Sequence, residues 1–70
     1  MDMIGIGKRI KELRLEKGLS QQKFGERLSV SQDTVSLWEK GKSVPTTEFL
    51  IAIATNFEIS IDYILGLKDY

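Results

Sequence analysis

The chain has 70 residues, with neither cysteine nor histidine, and its ten basic side chains balance its ten acidic ones. This length predicts a single small domain over residues 1–70, and the missing residue types argue against disulfides, a zinc site and nucleophile–base catalysis. No apolar run approaches the ~20 residues of a membrane span, and the N-terminal stretch lacks the apolar segment of a signal peptide. We therefore expect a soluble, cytoplasmic, non-enzymatic protein without a metal or other cofactor.

The zero net charge hides an uneven distribution along the chain. Residues 1–42 carry nine basic and six acidic side chains, whereas residues 43–70 carry one basic and four acidic side chains. A basic first half can face the phosphates of a nucleic acid while the second half faces away. A difference of this size also arises by chance.

The first predicted element is an amphipathic helix. Ile6, Ile10 and Leu13 recur at the i, i+4 and i+7 spacing, and charged residues occupy the other faces. Gly18 can adopt a left-handed cap conformation, so it ends this helix.

Two short helices with the same start signal follow, at about Gln21–Leu28 and about Gln32–Lys40. Ser20 and Ser31 are the predicted N-caps, because a serine hydroxyl accepts a hydrogen bond from an unpaired backbone N–H. Each cap is flanked by apolar residues at hydrophobic-staple spacing. These pairs are Leu19 with Phe24 and Val30 with Val35. Gly25 lies in the middle of the helix at about Gln21–Leu28, and it predicts a close approach of the helix that follows. The short connection makes residues 20–41 a helix-turn-helix, whose second helix can lie in a DNA major groove.

The second of these helices has an apolar and a polar face. Val35 and Trp38 share one face and are predicted to be core. The opposite face shows Gln32, Asp33 and Ser36, with Leu37 nearer its edge. Glutamine can bond to adenine, aspartate can accept from the N4 of cytosine, and leucine can contact the thymine methyl. The alternatives are a solvated Gln32, an Asp33 that stabilises its own helix dipole, and an ordinary exposed Leu37.

Two further helices complete the prediction. The fourth begins after a cap at Thr46 or Thr47 and buries a stripe of Leu50, Ile53, Ala54 and Phe57. The fifth lies within 60–66, between the cap Ser60 and the terminator Gly66. No strand pattern or repeat appears, so we predict an all-α fold of five helices.

The C-terminal segment has more apolar side chains than a short helix can bury. The residues in question are Ile61, Tyr63, Leu65, Leu67 and Tyr70. Such an excess often marks a protein interface. A homodimer through the fifth helix would set two third helices about one DNA turn, ~34–36 Å, apart. Alternatively, this helix only covers its own core and the tail is frayed.

Taken together, these residues resemble the phage-repressor-type (lambda-repressor and Cro-like, XRE) helix-turn-helix family. The resemblance extends from Ile6 to Gly66. Its motifs are RLEKGLSQ at 14–21, VSQDTVSLWEKG at 30–41, Pro45, and ISIDYILG at 59–66. It implies a compact, lambda-repressor-like DNA-binding domain that regulates transcription as a repressor, commonly as a homodimer on a near-palindromic double-stranded operator.

The resemblance also implies roles for individual positions. Base edges would be met by Gln32, Asp33, Ser36 and Leu37. Phosphates would be met by Gln21, Ser31, Thr34, Lys40, Lys42 and Ser43. Arg14 and Glu39 match an internal ion pair that ties the first helix to the third, and Gln21 would brace the third helix.

Three departures from the family pattern bear on function. Ser29 stands where the family usually has glycine in the turn, and Gly25 replaces the usual alanine. Leu37 stands where many members carry arginine or another polar reader, so the third helix has no cation before Lys40. The cation-poor helix and the zero net charge leave open an alternative, a protein–protein interaction module of antitoxin-like or regulatory type with weak DNA affinity.

Overall fold

The structure, a computed structural model, describes residues 2–69. It contains five helices: α1 (Met3–Glu16), α2 (Gln21–Leu28), α3 (Gln32–Glu39), α4 (Thr47–Phe57) and α5 (Ile61–Leu65). No strand occurs between residues 2 and 69, and the predicted all-α, five-helix fold is confirmed. The described helices are each too short or too polar to cross a membrane.

Serine caps fix where three of the helices begin. Each hydroxyl oxygen accepts a hydrogen bond from the backbone N–H three residues later, which satisfies one of the free donors of a helix start. The pairs are Ser20 with Lys23 at 3.1 Å, Ser31 with Thr34 at 3.2 Å, and Ser60 with Tyr63 at 3.0 Å. α4 follows Thr46, whose side chain makes no such bond.

All five helices contribute to one hydrophobic core. Its buried members are Ile6, Ile10, Leu13, Phe24, Leu28, Val35, Trp38, Ile53, Phe57 and Ile64. The rings of Phe24 and Phe57 stack with their centroids 4.8 Å apart, which joins α2 to α4. The staple residues Leu19 and Val30 pack against this core, and so does Ile59, which precedes the Ser60 cap of α5. Local start signals and core packing therefore specify the same helix positions.

Two residues shape the turn between α2 and α3, Ser29 by its backbone conformation and Gly25 by its lack of a side chain. Ser29 ends α2 in a left-handed conformation, with φ 59° and ψ 38°, which costs a residue with a Cβ roughly 1–2 kcal/mol. A Cβ added to Gly25 would lie 2.6 Å from the carbonyl oxygen of Val30. The close approach expected at Gly25 is therefore real, but the turn makes it rather than the body of α3.

Candidate nucleic-acid interface

The core fixes how α3 is rotated about its axis. Val35 and Trp38 are 0% and 3% exposed, and the indole of Trp38 packs against the ring of Phe49 with centroids 5.8 Å apart. Two anchored side chains three residues apart leave one orientation for a regular helix. The opposite side of α3 must therefore face outward.

The outward side of α3 is a ridge formed by Gln32, Asp33, Ser36 and Leu37. Gln32 and Asp33 are exposed, and neither side chain has a hydrogen-bonding or ionic partner within residues 2–69. Leu37, which we expected nearer the edge of this face, is 43% exposed. Ser36 is half-buried and therefore less exposed than Leu37. The ridge thus presents an amide, a carboxylate and an apolar side chain.

Two hydroxyls at the start of α3 are already engaged. Ser31 Oγ caps the helix and lies 3.1 Å from Thr34 Oγ1, so the two side chains are hydrogen-bonded to each other. Ser31 is exposed and Thr34 is half-buried. A phosphate contact at these positions would have to share or replace this local bond.

A buried network ties three helices together behind the ridge. Arg14 Nε donates to Glu39 Oε2 at 2.7 Å, and the two side chains are only 10% and 4% exposed. Arg14 also donates from Nη1 to the carbonyl oxygen of Leu19 at 2.8 Å. Gln21 Nε2 donates to Glu39 Oε1 at 3.1 Å. The ion pair between α1 and α3 is therefore formed, and Gln21 joins it from α2. Since an amide nitrogen carries two donor hydrogens, Gln21 keeps one for another acceptor.

The loop after α3 carries the nearest cations. The N–H of Gly41 donates to the carbonyl oxygen of Trp38, and that of Lys42 donates to the carbonyl oxygen of Leu37, both at 3.0 Å. Gly41 has a φ of 74°, and this bond pattern is the usual way to end a helix with glycine. Lys40 and Lys42 thus follow α3 directly, their side chains are exposed, and neither has an ionic partner among the described residues.

The residues predicted to form a dimer interface differ in exposure. Tyr63 and Leu65 pack in part against the protein's own core, and Ile61 is half-buried. Burial raises the pKa of the Tyr63 phenol, and the nearby carboxylates of Glu12 and Glu16 raise it further. Leu67 is 71% exposed. Tyr70, named with this group from the sequence, lies outside the described residues.

The sequence interpretation missed one residue that positions the site. Gly7 lies on the side of α1 that faces α3, where an added Cβ would clash with the backbone carbonyl of Trp38. A small residue here lets α1 approach the end of α3 closely. The available signal was its spacing, because Gly7 and Arg14 are seven residues apart and so share one side of a helix.

Residues 2–69 give little support to a ligand-binding pocket or a metal site. A shallow groove is lined by the carboxylates of Glu16, Glu58 and Asp69 together with Tyr63. Across residues 2–69, no group of three acidic, histidine or cysteine side chains could hold a metal ion. On α3, Gln32 and Asp33 are exposed and have no partner among the described residues.

Comparison with known proteins gives the family. Residues 10–64 match the helix-turn-helix family (HTH_3), and the chain belongs to this family. It is 32% identical over 63 residues to the HTH-type transcriptional regulator ImmR of Bacillus subtilis, an alignment that covers 90% of this chain and 50% of ImmR. It is 36% identical over 61 residues to the antitoxin PezA of Streptococcus pneumoniae, which covers 87% of this chain and 39% of PezA. The chain thus spans half or less of these two relatives.

A solved structure shares both the fold and the sequence pattern. The P22 c2 repressor, in a crystal structure with a synthetic operator, superposes with a TM-score of 0.80 at 30% identity. The superposition covers 84% of this chain and 89% of the repressor chain. This neighbour agrees with the resemblance to phage repressors that the sequence motifs indicate.

Proposed function

We propose that this chain is a sequence-specific DNA-binding domain of a transcriptional regulator of repressor type. In this proposal α3 enters the major groove of double-stranded DNA, and the protein acts in the cytoplasm without catalysing a reaction. The observation that carries the proposal is the ridge of α3, where Gln32 and Asp33 are exposed and have no partner within the described chain. The structural neighbour with operator DNA supports the same use of this fold.

The ridge residues are the proposed base contacts. Gln32 can form two hydrogen bonds with adenine, one to N6 and one to N7, and Asp33 can accept a hydrogen bond from the N4 of cytosine. The hydroxyl of Ser36 can donate to or accept from a base edge, and Leu37 offers an apolar contact. Asp33 also repels phosphates, so it would weaken binding to DNA that lacks the right base.

The proposed phosphate contacts lie at the starts of α2 and α3 and in the loop after α3. They are Gln21, Ser31, Thr34, Lys40, Lys42 and Ser43. Gln21 has a second amide hydrogen to donate, and Lys40 and Lys42 have no competing carboxylate partner within residues 2–69. Contacts of this kind fix the position of a protein on DNA, but they carry no sequence information.

A homodimer through α5 on a near-palindromic operator is also part of the proposal. The interface would be built from Ile61, Tyr63, Leu65 and Leu67. Leu67 supports it best because its side chain is 71% exposed. Two-fold symmetry of the protein would then match two-fold symmetry of the operator.

The direct test is binding to duplexes selected from a random pool. We expect the full 70-residue chain to enrich a sequence with two related half-sites and to bind it with affinity that falls as salt rises. Each phosphate contact should add about 0.9 to the slope of log affinity against log salt. Failure to enrich any sequence would contradict the proposal.

A second candidate function is a protein–protein interaction module of antitoxin-like type. The similarity to PezA and the zero net charge favour it. A titration with random duplex at low salt separates the two candidates. A DNA-binding domain shows salt-sensitive binding there, whereas an interaction module shows almost none.

A further inference from the structure

We propose that Ile4, in the first turn of α1, is a positioning residue for DNA binding. It holds the loop after α3, where Lys40 and Lys42 are proposed phosphate contacts, and it does not itself contact DNA. The inference rests on the proposed function and deepens it, because it names a residue outside the helix-turn-helix on which the phosphate contacts depend. It follows that the affinity for DNA is set in part by the start of α1.

Ile4 lies directly against Gly41 in this loop. A Cβ added to Gly41 would be 2.9 Å from Cγ1 of Ile4 and 3.0 Å from its Cα, whereas carbon atoms pack at about 3.5–4.0 Å. Ile4 is 62% exposed, so its contact with the loop is not a consequence of burial in the core. Because Lys40 and Lys42 flank Gly41 in the sequence, the contact lies at the centre of the cationic segment.

A second glycine brings the same two segments together one turn further along α1. Gly7 is buried, and a Cβ added there would be 2.9 Å from the carbonyl oxygen of Glu39. The carbonyl oxygen of Trp38 also lies against Gly7, and it accepts the hydrogen bond from the N–H of Gly41. The end of α3 and the loop therefore lie along the first two turns of α1, with Gly7 under the helix end and Ile4 under the loop.

The first turn of α1 is itself held at both ends. Asp2 is its N-cap, and Oδ1 of Asp2 accepts a hydrogen bond from the N–H of Gly5 at 2.9 Å. The N–H of Ile6 donates to the carbonyl oxygen of Asp2 at 3.0 Å, and the side chain of Ile6 is 2% exposed in the core. A turn that is capped at its start and anchored two residues after Ile4 is a firm support for the loop.

The cations of the loop benefit from this support. Lys40 and Lys42 are exposed and have no ionic partner among the described residues. When their backbone is already in place, binding avoids part of the cost of ordering the loop on DNA. Loss of the Ile4 contact would restore that cost. Because phosphate contacts carry no sequence information, the affinity should then fall evenly across DNA sequences.

Substitutions at Ile4 test the inference by fluorescence titration. First, the wild-type chain is shown to bind the duplex that it enriches from a random pool, because failure at this step would overturn the proposed function itself. Ile4→Ala removes Cγ1 and should weaken binding by about two- to tenfold, the cost of immobilising one side chain. Ile4→Val keeps Cγ1 and should bind like the wild-type chain. Ile51→Ala is the matched control, because Ile51 is a 51% exposed isoleucine on α4, and it should leave the affinity unchanged. Circular dichroism checks that the variants remain folded.

A double-mutant cycle shows whether Ile4 acts through the loop cations. In a chain that carries Lys40→Ala and Lys42→Ala, the further change Ile4→Ala should weaken binding less than it does in the wild-type chain. We expect the two losses to differ by about twofold or more, as for residues that act together. A purely structural role of Ile4 would give the same fold-loss in both backgrounds. The inference is overturned if the two losses are equal, or if Ile4→Ala binds DNA like the wild-type chain.

Discussion

At the scale of single residues, the side chains that hold α3 in place differ from those that face outward. Glu39 lies on α3, but both of its oxygens are engaged, by Arg14 from α1 and by Gln21 from α2. The buried ion pair therefore fixes where α3 sits, and the outward residues take no part in it.

This arrangement predicts a large effect when one partner of the pair is removed. Arg14→Ala should lower the free energy of unfolding by about 3–5 kcal/mol, because Glu39 would be left as a buried charge without its partner. Urea denaturation measures the change. Lys23→Ala is the matched control, since the ion pair of Lys23 with Glu26 spans 3.8 Å between side chains that are 68% and 55% exposed. A surface pair of this kind contributes only about 0.2–1 kcal/mol, so equal effects of the two variants would contradict the structural role of Arg14.

A second residue-scale prediction concerns the turn. Ser29 has a φ of 59°, a conformation that glycine adopts readily. Ser29→Gly should therefore raise the free energy of unfolding by about 0.5–1 kcal/mol, after allowance for the greater freedom of glycine in the unfolded chain. Ser29→Ala keeps a Cβ and should bring no such gain. A destabilised glycine variant in urea denaturation would show that the serine side chain itself supports the turn.

At the scale of elements, affinity and specificity are assigned to different parts of the helix-turn-helix. α3 carries an amide, a carboxylate and a leucine outward, whereas the nearest cations, Lys40 and Lys42, follow it in the loop. Base readout would therefore come from the helix, and the salt-dependent part of binding would come from the loop and from the start of α2. The absence of a side chain at Gly25 lets the backbone of the turn at Val30 pack closely against α2.

This division predicts how a loop variant behaves. Lys42→Ala should weaken binding evenly across DNA sequences and lower the salt slope by about one, because a phosphate contact is lost and no base contact is. Fluorescence titrations at several salt concentrations measure both quantities. Lys11→Ala removes an exposed lysine on α1 and should leave the slope unchanged. A Lys42 variant with the wild-type slope would remove Lys42 from the contact set.

At the scale of the whole molecule, the exposed Leu67 after α5 predicts self-association. Leu67→Asp should weaken the homodimer roughly tenfold or more, since a leucine side chain buried in the interface contributes about 1.5–3 kcal/mol. Sedimentation equilibrium, with and without a palindromic duplex, measures the association. Leu15→Asp, at another exposed leucine, should have no effect. A Leu67 variant that associates like the wild-type chain would place the interface elsewhere.

The sequence predicted most of this architecture because its signals are local. The serine caps and the staple pairs lie within a few residues of each helix start, so the starts of α2, α3 and α5 could be found without the fold. The outward face of α3 followed from the helical period and the buried Trp38. The remaining features depend on contacts between distant segments. The place of Gly7 against Trp38 and the greater exposure of Leu37 than Ser36 both follow from how the helices pack.

The central claim is that the ridge of α3 reads bases, and Gln32 tests it most directly. The measurement is the base preference at every position of the selected operator, compared between the wild-type chain and Gln32→Ala. We predict a loss of about 1–3 kcal/mol of discrimination at one base pair of each half-site, with the other positions unchanged. A uniform loss of affinity across all sequences, or an unchanged preference at every position, would contradict the account.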